Sequence, residues 1–87
     1  MKSYRHASSL SWKKVGNEIL IIDSRINQEV HRLNGVASFI WEKCVDATKN
    51  DILNNILETY DISEADALSD LNGFLDELTQ KKILEQF

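Results

Sequence analysis

The run from Glu29 to Trp41, Glu-Val-His-Arg-Leu-Asn-Gly-Val-Ala-Ser-Phe-Ile-Trp, changes its period halfway. Up to Leu33 the residues suit an extended strand. Beyond Asn34 the apolar residues Val36, Ala37, Ile40, Trp41 and Cys44 recur at the spacing of one helical face. Asn34 is the expected N-cap, since its side-chain oxygen can accept from the free amides of the first turn. Leu33, just outside the cap, is placed to pack back on the helix as a hydrophobic staple. A strand and a helix pinned at one corner oblige the remaining elements to pack around that corner.

Little else in the composition competes with this. Eighty-seven residues make one domain, and the absence of proline with 43% apolar residues argues against disorder. Acids outnumber bases 14 to 10 for a net charge of −4, which disfavours indiscriminate binding to nucleic acid or anionic membrane. No apolar run approaches the roughly 20 residues of a membrane span, and Met-Lys-Ser-Tyr-Arg-His has no signal-peptide core behind it. A single cysteine, Cys44, suits a reducing compartment. The expectation is a soluble cytoplasmic protein.

Taken in order, residues 1–9 are polar and expected to be a flexible N-terminus, with one domain over 10–87. Leu10 to Val15 reads as a strand, Gly16-Asn17 as a tight hairpin turn, and Ile19 to Asp23 as the strongest strand. The four consecutive apolar residues of that strand predict a central strand covered on both faces. Asp23-Ser24-Arg25 is a turn, and Ile26 to Arg32 a third, more polar strand. Helices follow over Gly35–Cys44, from the capping spacing Thr48 to Asp51, and from that of Ser63 to Asp66. The second helix carries Ile52, Leu53, Ile56, Leu57 and Tyr60; the third carries Leu68, Leu71, Leu75 and Leu78 on one stripe. Ile83 to Phe87 is expected to return as a short extended tail. This predicts an α+β, winged-helix-like domain: a three-stranded antiparallel sheet, then three helices packed on it.

The segment Leu33-Asn34-Gly35-Val36-Ala37-Ser38-Phe39-Ile40-Trp41 resembles the Leu-Asn-x-x-Ala-x-x-Ile-Trp signature of the PqqD-like family. These are the small proteins of pyrroloquinoline quinone synthesis and the related recognition elements of ribosomal peptide natural products. The strand Ile19–Asp23, the Thr48-led helix and Phe74-Leu75-x-x-Leu78 followed by Ile83-Leu84 extend the similarity over residues 10–84. Val45-Asp46-Ala47 departs from it, where relatives commonly place an Asp-Gly turn. The resemblance implies a binder rather than an enzyme. It implies a stand-alone protein that takes up the leader segment of a precursor peptide as an added strand on the third strand, beside the third helix. A partner enzyme, such as a leader peptidase or a radical enzyme, would then act on the peptide. The discreteness of the chain favours lasso-peptide maturation over the quinone type.

The residues are compatible with that mode. Strand addition needs an open edge, and Gln28 to Arg32 contains neither proline nor glycine. The expected contacts are Glu29, Val30, His31 and Arg32 on the strand and Ala67, Asp70, Leu71 and Phe74 on the helix. Phe74 serves equally as a pocket wall or as a broadening of the core stripe. Arg25, His31, Arg32, Lys81 and Lys82 offer modest rim pairing to an acidic leader. His31 fits a solvent-facing strand position and His6 a loose tail. Cys44 and Trp41 fit the core, and Trp12 has no clear assignment. No nucleophile with a base and no ligand cluster is evident, so neither catalysis, metal nor cofactor is expected. Two rivals share the fold. A DNA-binding regulator would need a basic recognition helix, whereas Glu64 to Gln80 holds five acids and no base. A protein–protein adaptor or homodimer would use the same strand edge on a different partner.

Overall fold

The structure is a computed structural model and describes residues 3–25 and 29–87. In chain order the elements are β1 (Tyr4–His6), β2 (Leu10–Val15), β3 (Glu18–Asp23), β4 (Glu29–Asn34), α1 (Val36–Lys43), α2 (Lys49–Thr59), α3 (Glu64–Gln80) and β5 (Leu84–Gln86). The sheet β2-β3-β4 is an antiparallel meander, and with the three helices it makes the expected α+β domain. Residues 26–28, assigned from the sequence to the start of the third strand, lie outside the described residues.

Gly16-Asn17 joins β2 to β3, and Gly16 has φ +61° while Asn17 has a negative φ. Glycine at the first of two turn residues is the type II′ arrangement, whose twist matches that of the flanking strands. Ile19 and Ile21 on β3 are fully buried beneath the helices, whereas Ile22 on the opposite face is 43% exposed. The expectation of a strand covered on both faces is therefore corrected: every helix lies on one side of the meander. The unbroken apolar run serves one buried face and leaves Leu20 and Ile22 on an open one.

The corner between β4 and α1 is built differently from the sequence reading. Asn34 still pairs with Glu18 as the last residue of β4, which commits its backbone to the strand. The cap is Gly35, at φ 57° and ψ −130°, with no side-chain hydrogen bond. Glycine reaches this conformation without a Cβ penalty. Thr48 caps α2 with a reciprocal box, its hydroxyl accepting from Asp51 N–H while the Asp51 carboxylate accepts from Thr48 N–H, both at 3.2 Å. Ser63 caps α3 by accepting from Asp66 N–H.

The core gathers Ile19 and Ile21 of the sheet, Ile40, Trp41 and Cys44, Ile52 and Ile56 of α2, and Ala67, Leu71, Phe74, Leu75 and Leu78 of α3. Ala67 occupies the stripe position that the sequence reading gave to Leu68, which is exposed. The tail returns as expected, but its partner is the N-terminus. β5 pairs antiparallel with β1, and Ser3 and Phe87 exchange backbone hydrogen bonds of 2.7 and 2.9 Å. Tyr4 is buried and His6 lies against Trp41, so this part of the segment expected to be flexible is a packed strand. Among the described residues, no helix is long and apolar enough to cross a membrane.

Candidate functional site

The tight hairpin fixes the direction of every backbone group in the sheet. Val15 and Glu18 flank a two-residue turn and so form a hydrogen-bonded pair. Alternation along an antiparallel ladder then directs the amides of Leu20 and Ile22 toward β2, and those of Ile19, Ile21 and Asp23 toward β4. Their partners on β4 are Leu33, His31 and Glu29. The N–H and C=O groups of Val30 and Arg32 therefore point outward, along the edge away from β3. β5, the strand best placed in sequence to cover an edge, is engaged with β1.

That edge opens on a groove of about 700 Å³ between β4 and α3. Its floor is apolar: Leu33, Val36, Ala37, Ile40, Phe74 and Leu78. Its helical wall is Ser69, Asp70, Gly73, Glu77 and Lys81, which recur at three- and four-residue steps along one side of α3. The rim charges pair mainly with one another. Lys81 Nζ lies 3.0 Å from Glu77 Oε1, Arg32 Nε 3.4 Å from Glu18 Oε2, and His31 Nε2 3.7 Å from Glu29 Oε1. The Lys81–Glu77 and Arg32–Glu18 pairs are exposed and exchange partners at little cost. The His31 side chain, opposite Ile21 on the inner face, is only 13% exposed and is not the solvent-facing residue expected. Chemically, the groove combines a row of outward-facing main-chain donors and acceptors, without backbone partners among the described residues, with an apolar trough.

Of the residues expected to contact a peptide, Val30, His31, Arg32, Asp70 and Phe74 line this groove. Glu29 sits exposed at the start of β4, opposite Asp23. Ala67 and Leu71 do not line it: both are wholly buried in the core, on the side of α3 turned toward the sheet and α2. The sequence reading set Phe74 beside the core stripe and gave it Ala67 and Leu71 as fellow contacts; Phe74 edges the groove, whereas the helical wall beside it is Ser69, Asp70, Gly73 and Glu77. Phe74 takes both of its expected roles, belonging to the core cluster while edging the groove. Lys81 stands at the groove's rim, where the sequence reading offered it to an acidic leader, whereas Ser69, Gly73 and Glu77 also line the groove without having been singled out, being small or polar. The signal was present in Gly73, a helix-breaking residue kept in mid-helix. A Cβ placed there would meet no heavy atom within 4 Å, so the space beside it is open.

Arg25, expected at the rim, is turned away from it. Its Nε donates to Asp23 Oδ1 at 2.8 Å and its Nη2 to Oδ2 at 2.9 Å, with Nη2 also donating to the Lys82 carbonyl at 2.9 Å. Asp23 is 2% exposed, and the bidentate guanidinium holds its carboxyl below the usual carboxylate range. Cys44 is buried with its thiol pushed up to about 12 by desolvation, the environment of a packing residue. Trp12, Trp41 and His6 form one aromatic group on the helix-facing side of the sheet, with Trp12 on β2, the edge opposite β4, edge-on to Trp41 at 6.0 Å. Among the described residues, no three His, Cys, Asp or Glu side chains are grouped to hold a metal ion.

Two solved structures share this fold. One, TbiB1 in complex with the TbiA(beta) leader peptide, has a TM-score of 0.82 and 21% identity, covering 93% of this chain and 94% of that one. The other, lasso peptide synthetase B1 complexed with the leader peptide, has a TM-score of 0.83 and 19% identity, covering 95% of this chain and 98% of that one. No curated protein matches the sequence. A family model, coenzyme PQQ synthesis protein D, matches residues 18–84. That span includes the sheet's last two strands and all three helices, and the chain belongs to the PqqD family.

Proposed function

We propose that this protein is a peptide-recognition element. It binds the leader segment of a ribosomal precursor peptide as a fourth strand on β4 and presents it to a maturation enzyme. The observation that carries this reading is the outward-facing edge of Val30 and Arg32 opening on an apolar trough against α3. A strand added there would gain main-chain hydrogen bonds from β4. Its alternate side chains would enter the space over Phe74, Leu78 and Ile40, which is how strand addition combines affinity with selectivity. The two structures of the same fold are both complexes with leader peptides, which supports the class of ligand. The second, a lasso peptide synthetase component, also favours lasso-peptide maturation over the quinone type; the partner enzyme we assign is a leader peptidase.

The role assigned to the protein is non-catalytic, the chemistry falling to the partner. A DNA-binding role is disfavoured by the helix that would have to enter a groove. The acids Glu64, Asp66, Asp70, Asp76 and Glu77 of α3 are all exposed and would meet phosphates with repulsion.

Fluorescence polarisation tests the reading, with labelled synthetic peptides that cover the short open reading frames flanking the gene. A leader should bind with a saturable change that an unlabelled copy reverses, and random duplex DNA should not compete. Failure of every such peptide to bind would sink the reading.

A further inference from the structure

The groove has two walls, and beyond the shared core the described residues show a tie between them near each end. At the Asn34 end, α1 leaves β4 directly and packs against α3 as well. At the Glu29 end the tie is a side chain. Asp23 is paired with Glu29 in the ladder and buried on the inner face of the sheet, so its carboxylate is a fixed anchor. Arg25 grips that carboxylate with two nitrogens and, with the second, reaches the carbonyl of Lys82. Lys82 is the residue just past α3. It has φ +61° and completes the helix end with Lys82 N–H donating to Thr79 C=O and Ile83 N–H to Leu78 C=O. This is the paired closure of a Schellman motif, with lysine where glycine is usual. Among the described residues, Arg25 to Lys82 is the one side-chain hydrogen bond between the β3–β4 turn and the end of α3.

We propose that Arg25 is a positioning residue for peptide capture: its fork sets the distance between β4 and α3 at the open end of the groove. This rests on the reading of the groove as the leader site. An added strand must lie about 4.8 Å from β4, so the room left for its inward side chains is set by where α3 stands. A gap of even 0.5–1 Å forfeits roughly a quarter to a half of each van der Waals contact across it. Arginine suits the task because a rigid fork serves two acceptors at once. A lysine keeps the charge beside Asp23 but, as a single compact ammonium, does not reproduce the fork.

Arg25→Ala would leave the buried Asp23 unpaired and so confound folding with binding. Arg25→Lys is the informative variant, read beside Val30→Pro and wild type by thermal melting and by polarisation with the same synthetic peptides. A nitroxide pair at Lys13→Cys and Asp76→Cys, both exposed sites with native Cys44 buried, reports the distance between sheet and helix without peptide. Arg25→Lys should melt somewhat below wild type yet stay fully folded at the titration temperature, bind roughly tenfold more weakly, and show a broader, longer distance distribution. Unchanged affinity in Arg25→Lys, with Val30→Pro impaired, would overturn the proposal while leaving the groove reading intact. Reduced affinity with an unchanged distribution would also overturn it, because Arg25 would then be touching the peptide itself. If wild type binds none of the peptides, the groove reading falls and the proposal with it.

Discussion

His6 lies flat on Trp41, with ring centroids 3.6 Å apart and planes 3° from parallel, and its Nε2 donates to the Trp41 carbonyl at 2.9 Å. One side chain thus ties β1, and through it β5, onto α1, the helix that follows β4. Burial holds the imidazole pKa below its ordinary value, partly offset by the hydrogen bond to the Trp41 carbonyl. The folded state therefore binds the proton less readily than the unfolded state does. Stability is complete above about pH 6.5 and declines as the pH falls below it, until the folded imidazole also protonates. The melting temperature of wild type should fall over this window more steeply than that of His6→Gln. At pH 8 the variant should be the less stable by about 1 kcal/mol, from the lost stack. Parallel pH-dependent slopes for the two proteins would dissociate His6 from the effect.

Cys44 gives a simpler test. Its side chain is fully buried, its Sγ donates to the Trp41 carbonyl at 3.3 Å, and its pKa near 12 leaves almost no thiolate at neutral pH. Iodoacetamide at pH 8 should leave the native protein unmodified and alkylate it promptly in guanidinium, read as a single mass increment. Rapid native labelling would mean that α1 and the segment after it open far more often than this core implies.

The sequence exposed the elements whose signals are local. The hairpin at Gly16-Asn17, the cap at Thr48 and the amphipathic stripe of α2 were each written into a few adjacent residues, and all appear in the structure. The misreadings share one physical cause: neighbours distant in sequence decided the outcome. Asn34 is an excellent cap in isolation, but pairing with Glu18 extends β4 through it and passes the corner to Gly35. His6 and Tyr4 look like tail residues until Leu84–Gln86 supplies a strand for them. On α3, Ala67 and Leu68 are equally apolar by inspection, and only the position of the sheet and α2 decides which one is buried. The same ambiguity shifted the expected groove wall from Gly73 and Glu77 to Ala67 and Leu71. Arg25 was legible as a charge near the third strand, but its engagement depends on the Lys82 carbonyl, which lies far along the chain.

Gly73 separates stability from binding. It sits in mid-helix on the groove wall, with space for a Cβ. Gly73→Ala should therefore raise stability by about 1 kcal/mol through helix propensity, equivalent to a rise of roughly 4–8 °C in melting temperature. Gly73→Leu should keep part of that gain while filling the trough and weakening leader binding by roughly tenfold or more. Calorimetric melting and peptide titration on the same samples test both halves. A leucine variant that binds like wild type would show that the peptide does not pass over this wall.

The ladder makes opposite predictions for neighbouring residues of β4. The amide of Val30 points to the free edge and that of His31 into β3, so proline removes a different hydrogen bond at each site. Val30 is also 60% exposed, so its side chain contributes little to the core. Val30→Pro should fold, because proline is tolerated on an edge strand when its missing donor faces outward. It should nevertheless bind the leader roughly 5- to 150-fold more weakly, since one peptide acceptor loses its partner, at about 1–3 kcal/mol. His31→Pro should lose a rung of the sheet itself and unfold or melt far earlier, whether or not peptide is present. Lys43→Ala, on the side of α1 where its ammonium lies 5.9 Å from the centre of the Phe39 ring, should leave binding unchanged. Circular dichroism melts and isothermal titration of the three variants decide the matter. Should Val30→Pro bind as wild type does while His31→Pro destroys the fold, β4 would remain a structural strand and the leader would have to dock by its side chains alone.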